Sequence, residues 1–206
     1  AIAAFIDMPK IARLHHSTSL VNVLPGYEQG ISSQMGEWLD VTRSSLESRL
    51  RAILLNDFLS WRADCNWDAV ILTGRRIQQL DASNEEVVTG LAEALSMTGH
   101  TGEALDVIDK SMSEIGGDAH AQMNLRLLRA RITRTRPTPR LVQGSLRGRL
   151  ATMQSLSRQW LLASDNSTQF TLVLGAPGIG KSRLAADFST YVSLTGGEVL
   201  CHRCDA

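Results

Sequence analysis

The chain has 206 residues, 43% of them apolar and 20% charged, and its 21 basic and 21 acidic side chains give a formal net charge of zero. Such a composition belongs to a globular protein with one large core or two small ones and excludes a disordered chain, while the lack of an apolar run near ~20 residues excludes a helical membrane span. Three cysteines, Cys65, Cys201 and Cys204, are too few for a disulfide framework and point to a reducing cytoplasm.

The first residues, AIAAFIDMPK, carry no initiator Met, charged leader or long apolar stretch, which reads as a cut inside a longer protein and not as a secretory signal. Residues 1–35 are too few and too weakly patterned for a winged helix. From Gly36 to about Asp64 apolar residues recur at helical spacing (Leu39, Leu46, Leu50, Ile53, Leu54, Phe58, Trp61), with Arg43, Glu47 and Arg51 on another face, so a long amphipathic helix is predicted. A second helix is predicted from Trp67 to Leu80. A third opens with Ser83 and Glu86 in a capping box, in which side chains satisfy the first free amides, and it runs through Val87, Leu91 and Leu95 to Gly99. Thr101 is placed to cap a fourth helix, stopped by Gly116 and Gly117, and a fifth follows Asp118 through Met123, Leu127 and Ile132.

Helices joined by such short turns pack as antiparallel hairpins. NWDAV at 66–70 and TGEAL at 101–105 each place a small Ala where two helices must approach closely, and their spacing resembles the tetratricopeptide repeat. Gly99, Ala104, Leu95 and Ala92 fall where that repeat wants them; Asp57 stands where the earlier unit wants a small residue.

TRTRPTPR at 133–140 ends the helical region, because each proline removes an amide donor and biases its predecessor towards extended backbone. The expected division is therefore a helical domain at 1–133, a linker at 134–140 and a second domain at 141–206. Charge divides similarly. Between Ala119 and Ser164 lie Arg126, Arg129, Arg131, Arg134, Arg136, Arg140, Arg147, Arg149 and Arg158 with no carboxylate, a pattern that fits a solvated face, a surface docked against the acidic half, or a nucleic-acid contact.

A further helix is predicted around Leu150 to Ala163, then a buried strand at QFTLVL, 169–174. Directly after it stands Gly175-Ala176-Pro177-Gly178-Ile179-Gly180-Lys181-Ser182, a full G-x-x-x-x-G-K-[ST] phosphate loop followed by Arg183. Its glycines let backbone amides turn inward on phosphate oxygens, Lys181 brings a cation to the β and γ phosphates, and the Ser182 hydroxyl is suited to Mg²⁺ at a helix N-terminus. The cofactors predicted are thus ATP and Mg²⁺. A helix through Leu184, Ala185, Phe188 and Val192 and a second strand at EVLCH, 198–202, would complete a βαβ unit. No acid after Ser182 (Asp187, Glu198, Asp205) ends an apolar strand, so the motif predicts nucleotide binding, by a truncated P-loop domain, without predicting turnover. Cys201 and Cys204 spell CxxC but lack a second ligand pair, and read as structural thiols before a zinc site.

With both halves in view, the chain resembles the bacterial transcriptional activator domain, a tetratricopeptide-like module of antibiotic-regulatory-type regulators, fused to a P-loop ATPase of the signal-transduction class. The resemblance rests on LPGYEQG (24–30), GEWLDVTRSSLESRL (36–50), SLRGRLATMQSL (145–156), GAPGIGKSRLAADF (175–188) and HRCDA (202–206). It implies protein partners through the helical repeats, ATP and ADP at a nucleotide-dependent switch, DNA contact only through an upstream winged helix, and Gly148 and Arg149 near the nucleotide base, with Leu150 standing where an acid is common. The alternatives are the regulatory part of a nucleotide cyclase or kinase, or a repeat module with an inert loop. No membrane partner is expected, and an oligomer is left open.

Overall fold

Residues 6–15, 33–114, 119–134, 148–164 and 167–202 are described by the computed structural model, and they are mainly helical. The helices among them are α1 Lys10–His15, α2 Ser33–Ala63, α3 Trp67–Leu80, α4 Glu85–Thr98, α5 Thr101–Glu114, α6 Ala119–Arg134, α7 Leu150–Ser164 and α8 Lys181–Leu194. None is long and apolar enough to cross a membrane. Successive helices α2 to α6 pack on one another, and α8 lies against α4, α6 and α7. The starts of α3 and α5, Trp67 and Thr101, are 34 positions apart, close to the spacing read from the sequence.

A close helix crossing is built around Phe58 of α2, which is fully buried. A methyl group added at Gly90 of α4 would come within 2.7 Å of the Phe58 ring, and one at Gly74 of α3 within 3.0 Å. Three helices therefore meet on one aromatic ring because two of them present no side chain there. Around it Leu50, Leu54, Ile77, Leu91, Leu95, Ile108, Leu125 and Ile132 form a core that continues without a break into Met153 and Leu156 of α7 and Leu184 and Leu194 of α8. The core thus spans both sides of the Arg- and Pro-rich linker, most of which, like Gly116 and Gly117, lies outside the described residues.

Three turns close their helices identically. At Cys65, Gly99 and Gly196 the residue past the helix end has φ of 53°, 93° and 97°. Its amide bonds back to Arg62, Ser96 or Ser193, and the next amide to Trp61, Leu95 or Val192. This is the Schellman arrangement, which satisfies carbonyls the helix leaves free and normally takes glycine. Only Cys65 keeps a side chain in the left-handed region, at a cost of roughly 1–2 kcal/mol.

Asp57 is buried in α2, and α1 explains it: Arg13 Nε and Nη2 each donate to its carboxylate at 2.7 Å. Arg13 Nη1 also donates to Met8 O, and Arg76 of α3 donates to Arg13 O at 2.7 Å. Lys10 stands 3.6 Å from the centre of the Trp61 ring.

Some expectations need correction. The cap of α4 is Asn84, whose side chain accepts from Val87 N at 3.1 Å, while Ser83 turns to Asp81. Thr101 is the first helical residue of α5 and not its cap. On α6 the inward stripe is Ala121, Leu125, Leu128 and Ile132; Met123 and Leu127 face solvent, because the two candidate stripes differ by about half a turn and packing against α4 selects the other one.

The Phe58 crossing makes a quantitative prediction. Phe58→Ala should cost about 3–5 kcal/mol in urea unfolding. Gly90→Ala should destabilise as well, its crowding of about 1–3 kcal/mol outweighing a helix-propensity gain near 1 kcal/mol. In a Phe58→Leu background the Gly90→Ala penalty should shrink by at least half; equal penalties in both backgrounds would show that the ring does not set the crossing.

Candidate functional site

Residues 169–174 and 198–202, expected as strands, carry no regular secondary structure and join no ladder, and no strand occurs among the described residues. The expected βαβ unit is therefore not seen. Apolar, β-branched composition signals extended backbone that wants cover, but the hydrogen-bonding partners of a sheet must come from elsewhere, and here Phe170, Leu172, Leu174 and Leu200 are 92%, 81%, 80% and 93% exposed.

The loop between the first of these segments and α8 does curl. The chain turns at Pro177 and Gly178, bends at Ile179 and Gly180, and becomes helical at Lys181. Gly178 and Gly180 have φ of 79° and 95°, and a Cβ at either would meet nothing within 4 Å, so glycine is required by backbone angle and not by crowding. A Cβ at Gly175 would come within 3.0 Å of the Ile179 side chain. Ile179 N bonds to Ala176 O at 3.4 Å, closing the turn. Gly180 is the N-cap of α8 and, having no side chain, gives the helix no side-chain cap hydrogen bond.

Lys181 Nζ donates to Gly175 O at 2.7 Å and to Ala176 O at 3.0 Å, which folds the ammonium over the loop. Ser182 is exposed beside it. Arg183 Nε lies 3.7 Å from Asp187 Oδ2, one turn along α8. The loop is also gripped from outside: Arg149, one residue before α7, donates from Nη2 to Ile179 O at 2.7 Å. That bond was not legible in sequence, since a carbonyl leaves no trace in residue identity. Chemically the sequence brings a helix N-terminus, one ammonium and one hydroxyl within two residues of one another, a set of donors suited to an anion. Asp187 is largely buried in α8, Glu198 is exposed, and Asp205 and Cys204 lie outside the described residues. Among the described residues no three His, Cys, Asp or Glu side chains gather as a metal-binding group.

Behind the loop, α8 enters a buried polar cluster that sequence reading missed. Arg62 of α2 pairs with Glu93 of α4 at 2.7 Å, and Cys65 Sγ lies 3.2 Å from Ser157 Oγ of α7. Tyr191 of α8 packs against Trp67 with ring centres 6.1 Å apart. Burial pushes the Glu93 carboxyl up, more than the Arg62 charge draws it down, and burial likewise raises the Cys65 thiol. The Tyr191 phenol is raised chiefly by burial and further by Cys65 and Glu93, against the opposing hydrogen bond from Ser157 and the charge of Arg62. Helical periodicity could have flagged Glu93 and Asp57 as acids at inward positions that require cationic partners, but not which partners.

Tyr191 gives a pH test. An unfolded chain loses its tyrosine proton near pH 10, before the folded chain does, so the Tyr191 contribution to stability is present below pH 10 and is lost as pH climbs towards the folded value. In Tyr27→Phe, which leaves Tyr191 as the remaining one of two tyrosines, tyrosinate absorbance should appear above pH 10 and return to about 10 in urea. A midpoint at the free-tyrosine value in the folded chain would contradict a buried phenol.

Compared with known proteins, the chain matches no family model, no curated protein and no solved structure.

Proposed function

We propose that the chain is an ATP-binding regulatory module, in which tetratricopeptide-like helical hairpins that engage protein partners are joined to a nucleotide-dependent switch. The observation that carries the reading is the loop itself: Gly178 and Gly180 in left-handed conformation deliver the backbone onto the uncapped start of α8 while Lys181 lies across it. A magnesium-bound nucleoside triphosphate fits these residues. The amides of the first turn of α8 and Lys181 would hold its phosphates, and Ser182 would hold Mg²⁺, whose charge would neutralise the phosphate oxygens. Such a loop binds; turnover needs a carboxylate ending a strand, and the described acids offer none in that position. The function we propose is conformational. The paired helices, the spacing of Trp67 and Thr101, and the buried Ala69 and Ala104 near the starts of α3 and α5 support the repeat half of the reading.

Calorimetric titration of the full chain with Mg-ATP should show one site. Lys181→Ala should weaken it by about tenfold to a hundredfold, the worth of a charge-assisted hydrogen bond to phosphate. Unchanged affinity in Lys181→Ala would refute the site.

A further inference from the structure

We propose that α7 and α8 form a coupling element that links occupancy of the phosphate loop to the way this helix pair is seated on the helical hairpins, an inference that rests on reading the loop as a nucleotide site. The two helices start together and run in the same direction. At the loop end Arg149 Nη2 holds Ile179 O at 2.7 Å; at the far end Trp160 Nε1 of α7 donates to Thr195 Oγ1, just past α8, at 3.0 Å. They therefore run side by side away from the loop over roughly 16 Å, the rise of α7 from Arg149 to Trp160.

Each then grips the hairpins. From α7, Gln154 Nε2 donates to Asp64 O at 3.0 Å and Ser157 meets Cys65, so both reach the turn between α2 and α3. From α8, Tyr191 packs on Trp67 at the start of α3, and Leu194 O accepts from Arg131 Nη1 of α6 at 3.4 Å. A Cβ added at Gly196 would lie 2.9 Å from Arg131 Nη2, so the turn that ends α8 is moulded to the guanidinium, and a cavity of about 400 Å³ opens beside it, lined by Arg131, Arg134, Ser193 and Glu198. Cys65 is the telling residue. The other two turns of its type use glycine, yet here a side chain is kept at a left-handed position, and what that side chain does is meet Ser157 of α7.

The loop end is where a ligand would act. Phosphate draws the Lys181 ammonium off Gly175 O and Ala176 O, and resetting of the loop backbone is felt at both helix starts, because Ile179 O is tied to Arg149 and Gly180 caps α8. Packed helices move as stiff bodies, so a displacement at one end is delivered to the other. Linkage then works in both directions: whatever loosens the seat must change phosphate affinity by the factor by which phosphate changes the seat.

The test uses the full chain carrying Cys201→Ser and Cys204→Ser, leaving Cys65 as its one thiol, with maleimide labelling of Cys65 reporting how firmly α7 and α8 are seated. Saturating Mg-ATP should change the labelling rate at least threefold, and Lys181→Ala should abolish the change. Arg131→Ala should speed labelling without ligand about tenfold and shift Mg-ATP affinity at least threefold, although Arg131 lies at the end of α8 away from the loop; Arg131→Lys, which keeps the charge and loses the planar fork, should shift both in the same sense and serves if the alanine variant does not fold. The signs are bound together. If Mg-ATP speeds labelling, Arg131 variants must bind it more tightly, and if it slows labelling, more weakly. Mg-ATP binding with unchanged labelling, or with signs opposed, overturns the coupling alone; no Mg-ATP binding at all overturns the reading of the loop and the coupling with it.

Discussion

Helix α4 has almost no face turned to water. Eleven of its fourteen residues are buried, Glu93 among them, and cover on every side has to come from other helices. The hairpin neighbours α3 and α5 supply two sides, and α2, α6 and α8 close the rest. Apolar burial is worth about 25 cal/mol per Å², so withdrawing one neighbour would expose a helix that has no other means of being soluble. The position of α8, and through it of the phosphate loop, follows from this need for cover more than from anything local to the loop.

That constraint also shows why a buried ion pair sits where it does. Taking Glu93 out of water is costly, and Arg62 offsets the cost only in part, which is why the carboxyl is pushed up despite its partner. Asp57 solves the same problem with a two-pronged Arg13 from a helix of six residues. In both places an acid on an inward stripe specifies which segment must come to meet it. Without Arg13, α1 would have little to define its place on α2 and α3.

Much of this architecture was legible in the residues. Helices α2 to α8 follow apolar periodicity, and their ends follow Gly99 and the proline-rich stretch, because those signals are set within one or two turns of chain. What escaped depends on distant partners. Nothing in QFTLVL tells whether a neighbour will pair with it; nothing near Cys65 announces that its turn will be closed as though it were glycine. The cap of α4 slipped from Ser83 to Asn84 because two good capping residues are adjacent and the choice rests on how the preceding turn runs. In the candidate site, the turn at Gly178 and Gly180 and the start of α8 at Lys181 were readable, whereas Arg149 on Ile179 O and the seat of α8 on Arg131 are tertiary facts.

The apolar ribbon of Phe170, Leu172 and Leu174, with Leu200 near by in kind, has a consequence for anyone handling the molecule. Side chains of this size held in water along an unpaired backbone form an adhesive strip, able to zip onto another extended chain or onto the same strip of a sister molecule. Colloidal behaviour is then governed by dilution: crowding favours clumping, and a mild amphiphile that coats the strip keeps the particles apart.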